Sequence, residues 1–341
     1  MKTYNKLFQK ICSMDNLQLA FRKARKGKSG KWYVREFESN IDNELLKLKT
    51  ELETQAYRPK PLSRFVIRDP KTRVIHASAF RDRVVHHALC NLIEPIIERT
   101  FIYDSFANRK KKGVHVGLER FDEFKRSVSQ NGSLVKGAKD GNMVVGYALK
   151  ADIRHYFQTV DNEILTRIIS KRIKDEKTIW LIRTILANHD FKKKGKGMPI
   201  GNLTSQFFAN VYLNELDYYV KHRLGIKFYM RYVDDFIILD RSKQKLTAYK
   251  WLIDNFIRQR LKLELHPDKT KIMPLHEGVN LLGFRIFYHY KLPRINNVRG
   301  FERKLEKCLS VENGGGARRT KRLIKCLMGG SDISCMETLT N

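Results

Sequence analysis

Apolar residues recur at near-helical spacing through the first sixty positions, as Leu17, Ala20 and Phe21, then Phe37, Ile41, Leu45, Leu46 and Leu48. The run Lys26-Gly27-Lys28-Ser29-Gly30 interrupts them and predicts a turn between two helices. The period then shortens. Phe65-Val66-Ile67 and Arg73-Val74-Ile75 flank Asp69-Pro70-Lys71-Thr72 and read as a β-hairpin studded with Arg64, Arg68, Lys71 and Arg73. Val84, Val85, Leu89, Leu92 and Ile96 predict a helix over Phe80 to Phe101. A basic loop, Ser105 to His115, precedes a further helix over Glu119 to Ser127, and Gly, Asn and Ser between Gln130 and Asn142 predict an exposed loop.

Met143 to Ala151 is a mostly apolar, β-prone run ending at Asp152, and Asp161 to His189 is amphipathic and helical. Leu203 to Arg223 is helical, with Phe207, Phe208, Val211, Tyr212 and Leu216 at core spacing. The apolar runs Phe228 to Arg231 and Phe236 to Leu239 enclose Tyr232-Val233-Asp234-Asp235 and predict a tight hairpin. Another helix, marked by Leu246, Leu252, Ile253, Phe256, Ile257 and Leu261, precedes short strands near Lys271 to Met273 and Leu281 to Phe287. The order strand, helix, hairpin, helix, strand makes the class α+β, an antiparallel sheet backed by helices.

The hairpin tip carries the candidate chemistry. Adjacent carboxylates repel, and a divalent cation is the natural way to hold Asp234 and Asp235 together. Taken alone, such a pair could simply face solvent, because Asp is a common turn residue. Asp152 places a third carboxylate at a strand end, and three converging acids suit two-metal phosphoryl transfer. Two Mg²⁺ ions, with Mn²⁺ as a substitute, fit an all-oxygen donor set that shares its sphere with substrate phosphates. Asp240 reads as an ordinary strand-end residue.

Charge names the partner class. The chain has 67 Lys plus Arg against 36 Asp plus Glu over 341 residues, a net +31, so a polyanion is expected and binding should weaken with salt. Lys110-Lys111-Lys112 and Lys192-Lys193-Lys194 are expected to meet nucleic-acid backbone or an acidic partner, although such runs are often only solvated. No stretch reaches the ~20 apolar residues of a membrane span, and residues 1–22 lack a secretory apolar region, so no membrane partner is expected. Five widely spaced cysteines without a C-x-x-C pair read as free thiols in a reducing cytoplasm. His86 and His87 beside Cys90 lack a fourth zinc ligand.

An ordered series over roughly residues 15–305 resembles reverse transcriptases of the bacterial type. It comprises Arg68 to Ile75, Phe80-Arg81-Asp82-Arg83-Val84-Val85, Lys150-Ala151-Asp152 with Tyr156-Phe157, and Pro199-Ile200-Gly201-Asn202-Leu203-Thr204-Ser205-Gln206. Tyr232 to Asp235, His266-Pro267-Asp268-Lys269-Thr270-Lys271 and Leu281-Leu282-Gly283-Phe284 complete it. The resemblance implies a right-hand polymerase: extension and fingers over 1–140, palm over 141–290 with helices interleaved at 160–225, and a short or incomplete thumb over 291–341. Ile200 to Gln206 and Lys112-Gly113-Val114-His115 are most similar to the enzymes of diversity-generating retroelements. Related variants occur in phage-defence reverse transcriptases, and a non-catalytic RNA-binding maturase is a third reading.

The same resemblance implies the roles of single residues. Asp152, Asp234, Asp235 and the carbonyl of Ile153 would hold metal, and Lys269 would lie near pyrophosphate as a general acid. Lys71 and Arg73 would hold the incoming dNTP, with Gln206 also at the substrate, and Phe157 would exclude a ribose 2′-hydroxyl, though its periodicity equally suits a core. Ile200 stands where related enzymes usually carry Gln, offering shape without a hydrogen bond, and this points to reduced fidelity opposite template adenine. Leu282, Gly283 and Phe284 resemble the primer grip, and strand packing explains them almost as well. The implied partners are a structured template RNA, cDNA or primer, dNTPs and a small accessory protein.

Overall fold

Hydrophobic periodicity becomes packing from the first helices onward. A computed structural model describes residues 2–68, 72–189 and 194–310. The N-terminal elements are α1 (Phe8–Ile11), α2 (Met14–Arg25), α3 (Trp32–Ser39), α4 (Ile41–Glu53), the antiparallel hairpin β1 (Ser63–Ile67) and β2 (Arg73–Ala77), α5 (Phe80–Ile97) and α6 (Val114–Val128). Ser13 caps α2 by accepting from the Asn16 N–H at 3.4 Å. The helix lays Leu17, Ala20 and Phe21 against α5, where Val84, Val85 and Leu89 are fully buried. Each large side chain so buried contributes roughly 1.5–3 kcal/mol. Pro95 near the end of α5 removes a ladder hydrogen bond, and the chain tightens into a 3₁₀ turn over Glu98–Thr100.

The centre of the molecule follows as β3 (Tyr147–Asp152), α7 (Tyr156–Thr159), α8 (Asn162–Ser170), α9 (Glu176–Ala187), α10 (Leu203–Tyr218), β4 (Tyr229–Tyr232), β5 (Asp235–Asp240), α11 (Lys243–Leu261) and β6 (Lys271–Pro274). The four strands form an antiparallel sheet in the order β4-β5-β3-β6. Its faces divide with period two. Leu149, Ala151, Phe236 and Ile238 join the core under α8, α10 and α11, whereas Ala148, Ile237 and Leu239 join the core under α6. Covering both faces explains why Phe236 to Leu239 is continuously apolar instead of alternating.

β7 (Val279–Leu281), β8 (Phe284–Ile286) and β9 (Lys291–Pro293) form a separate three-stranded sheet before α12 (Ile295–Ser310). The strand expected over Leu281 to Phe287 is therefore broken. Leu282 at φ +49° and Gly283 at φ +89° make a tight turn there, the conformation that two-residue hairpins favour. This sheet is anchored to α6 by Lys125, whose buried ammonium donates to the carbonyls of Phe287 and Tyr288 at 2.7 and 2.8 Å.

Two expectations shift. The α6 helix starts at Val114 instead of Glu119, immediately after Gly113 at φ +126°. The basic loop before it is partly structural: Lys112 donates to the Tyr103 carbonyl at 3.0 Å and lies 3.1 Å from that ring's centroid. Lys110 and Lys111 remain exposed. Lys192 and Lys193 fall outside the described residues, as do residues 311–341 of the expected thumb.

The deepest polar feature lies under the β4–β5 turn. Arg231 and Asp217 are both wholly inaccessible, and the guanidinium forks onto the carboxylate at 2.8 and 2.6 Å. It also donates to Asn210 Oδ1 (3.0 Å), Ser105 Oγ (3.1 Å) and the Val233 carbonyl (2.9 Å), while the Tyr229 hydroxyl donates to Asp217 at 2.6 Å. Burial opposes the guanidinium's charge, but Asp217 outweighs it and holds its pKa above the ordinary arginine value. Removing one partner strands the other in the core. We expect Asp217→Ala to lower stability by about 3–5 kcal/mol in urea unfolding, and Arg231→Met with Asp217→Leu to recover much of that loss. An unchanged midpoint in the single variant would remove the pair from this role.

Candidate active site

Three stretches of chain meet at one end of the four-stranded sheet. Asp152 ends β3 directly opposite Asp235, the first residue of β5, and Asp234 occupies the turn that joins β5 to β4. The chain leaving β3 is tied to that turn, because the Ile153 N–H donates to the Asp234 carbonyl at 3.3 Å. On its other side the Asp152 carbonyl accepts from the His266 N–H at 2.7 Å, and Arg154 N–H donates to the Glu264 carbonyl at 2.8 Å. That pairing brings in the segment carrying Lys269, whose ammonium forms an ion pair with Asp152 Oδ2.

The turn is strained where it matters. Val233 adopts φ +55°, a region that a β-branched side chain rarely enters, and Arg231 holds its carbonyl from below. Asp152 is 6 % exposed, and Asp234 and Asp235 are half-buried. The Asp234 carboxyl is pushed up to about 6, first by burial and next by the charge of Asp152, with Asp235 adding to the effect and Lys269 opposing it. Three carboxylates against one ammonium leave the cluster short of positive charge.

The donor chemistry suits a hard cation: carboxylate and peptide oxygens, with no sulfur or imidazole required. Among the described residues no group of three or more His, Cys, Asp or Glu side chains forms a cage that could hold a metal ion as it stands. His86 and Cys90, both buried in α5, form no such cage either.

A second group of predicted residues is built around Asn202, buried at 3 %. Its Oδ1 accepts from the Ser78 N–H and hydroxyl at 3.1 and 2.8 Å, and its Nδ2 donates to the His76 carbonyl at 3.0 Å. The His76 N–H donates in turn to the Ile200 carbonyl at 2.9 Å. Gly201 between them has φ +111°, and a Cβ there would stand 2.5 Å from Ile75 Cγ2, so only glycine lets strand β2 come this close. The clip fixes Ile200 beside the hairpin that begins its return at Arg73, which is exposed; Lys71 lies outside the described residues. Gln206 is exposed on the first turn of α10.

Phe157 is half-buried on α7, and its carbonyl accepts from the Met198 N–H at 2.7 Å, linking the exit of β3 to the Ile200 segment. Leu282, Gly283 and Phe284 lie on the separate sheet, where the Gly283 carbonyl accepts from Arg294 N–H at 3.0 Å. Leu282 packs over Gly117, at which a Cβ would be 2.9 Å from Leu282 Cδ1. Asp240 sits at the far end of β5, opposite Tyr147, and accepts from the Ser242 N–H at 2.8 Å. The sequence reading missed Asn202 as a clip and Arg231 as a support. Arg231 left a signal, a guanidinium inside an apolar strand, but Asp217 on a distant helix did not.

Residues 63–286 match the family model described as reverse transcriptase (RNA-dependent DNA polymerase). The chain is 28 % identical over 282 residues to protein YkfC of Escherichia coli, covering 71 % of each. It is 24 % identical over 358 residues to the group II intron-encoded protein LtrA of Lactococcus lactis, covering 84 % of this chain and 57 % of LtrA. A solved structure of apo telomerase from Candida tropicalis superposes with a TM-score of 0.49 at 12 % identity, covering 69 % of this chain and 49 % of that one. The chain thus spans only about half of the telomerase chain and of LtrA. The matched span takes in both the fingers-type hairpin and the carboxylate-bearing strands, and the chain belongs to the reverse transcriptase family.

Proposed function

We propose that the protein is an RNA-directed DNA polymerase that copies a structured template RNA into cDNA, of the kind found in diversity-generating retroelements. The observation that carries this reading is the register placing Asp152 opposite Asp235 with Asp234 in the adjoining turn. Asp152, Asp234, Asp235 and the Ile153 carbonyl would hold two Mg²⁺ ions, or Mn²⁺ in their place. When bound, the ions supply activation of the primer 3′-hydroxyl and charge stabilisation at the departing pyrophosphate. Lys269, already drawn to Asp152, would lie near the leaving pyrophosphate and give it a proton.

Other residues bind and orient. Lys71 and Arg73 grip the dNTP phosphates from the hairpin, Arg as a fork and Lys as a point charge. Phe157 stands against the sugar, Ile200 and Gln206 border the nascent pair, and Leu282, Gly283 and Phe284 support the primer end. The reading assigns an N-terminal extension and fingers to 1–140, palm to 141–290 and a short or incomplete thumb to 291–341. A cytoplasmic location and a small accessory protein belong to it as well; among the described residues no helix is long and apolar enough to cross a membrane. The similarity to LtrA across 84 % of this chain favours an intron-associated role as the second reading.

Three measurements test these assignments. Asp234→Asn should reduce primer extension on an RNA template by about 10²–10³-fold or more without lowering the urea midpoint; retained extension would end the polymerase reading. Phe157→Ala should raise ribonucleotide incorporation by about 10–100-fold, and an unchanged sugar preference would return Phe157 to the core. Ile200→Gln should lower misincorporation opposite template adenine by about ten-fold. Equal error spectra, or an intron RNA as the main copurifying species, would favour the second reading.

A further inference from the structure

The helical layer behind the four-stranded sheet carries a groove on its outer side. It measures about 890 Å³ and runs between α8, the end of α10 and α11. Its floor is apolar, with Ile164, Ile168 and Leu252 beside Tyr219 and Phe256, whose rings stack at 4.0 Å. Two aromatic side chains are largely exposed at its edge: Trp251 at 66 %, and Tyr218 at 55 % with the His222 ring against one side of it at 4.7 Å. The helix bearing Tyr218 ends in a π turn over Tyr219–Arg223, an irregularity frequent at functional sites.

The rim is cationic. Arg167, Lys171, Arg223 and Arg260 all line it and are all exposed. A contiguous groove of about 430 Å³ shares Lys171 and Tyr218 and adds Arg172. Among the described residues Glu215 is the one acid lining either groove, and Lys171 already pairs with it at 2.8 Å. A single exposed aromatic needs no explanation, but two on one basic groove do.

From this we infer that the groove binds a single-stranded segment of RNA, with unpaired bases stacked on Trp251 and Tyr218 and phosphates held by the arginine rim. Stacking platforms flanked by cations are how single strands are held without sequence readout. A duplex would present its phosphates and leave the aromatic faces unused. The polymerase reading is needed only for the source of the strand, template RNA lying outside the copied stretch. No residue of the groove belongs to the carboxylate cluster or to the Asn202 clip.

The test uses the full chain and a fluorescein-labelled, unstructured 30-mer RNA, measured by anisotropy across a salt series. Trp251→Ala should weaken single-strand binding by about ten-fold while leaving affinity for duplex RNA of equal length unchanged. Arg167→Gln with Arg260→Gln should weaken binding and flatten the dependence of log affinity on log salt by about 1.4, two phosphate contacts at ~0.7 each. Primer extension on a template too short to leave the cleft should match the unsubstituted chain in both variants. Unaltered affinity and salt slope in both would overturn the inference. So would a loss of binding to an acidic amphipathic peptide with RNA affinity intact, since the groove would then be a protein dock. A chain with no extension activity but Trp251-dependent RNA binding would support the groove and sink only the polymerase reading.

Discussion

The pairing of Arg231 with Asp217 is the constraint on which the rest of the site depends. A guanidinium and a carboxylate at zero exposure are costly to desolvate, and they persist only because every donor and acceptor has a partner. Those partners come from three places in the chain: Ser105 before α6, Asn210 and Asp217 on α10, and Val233 in the turn. The ion pair therefore stitches the basic loop, the backing helix and the strand pair at one point. It also underwrites the unfavourable backbone of Val233, because the donor that accepts no alternative geometry lies directly beneath that carbonyl.

The cluster above is electrostatically the reverse. Asp152, Asp234 and Asp235 are crowded without enough compensating charge, and the raised Asp234 carboxyl records that imbalance. A rigid, over-satisfied layer beneath an under-compensated one is a sensible division of labour: the lower layer fixes geometry, and the upper, short of positive charge, favours an approaching cation.

Much of this was legible in the residues. The hairpin at Tyr232 to Asp235 and the strand ending at Asp152 follow from short apolar runs closed by turn chemistry, and the structure pairs them in register. The β1–β2 hairpin was equally plain from its period. What stayed hidden depended on partners remote in sequence. Nothing near Lys112 announces that it folds back on Tyr103, and nothing near Asn202 announces His76 and Ser78. The break at Leu282-Gly283 was masked because leucine is an unexpected residue at positive φ, so the run read as one strand. Arg231 was visible as an anomaly but not as a keystone, since its carboxylate sits fourteen positions away on a helix.

The Asn202 clip ties the posture of one part of the molecule to the shape of another. One side-chain amide uses both its ends on the close of β2 and the residue after it, while its own backbone neighbours include Ile200, so the hairpin and the surface beside it are joined by a short, stiff linkage with little slack. A pull on the hairpin would therefore reach residue 200 with little loss along the way.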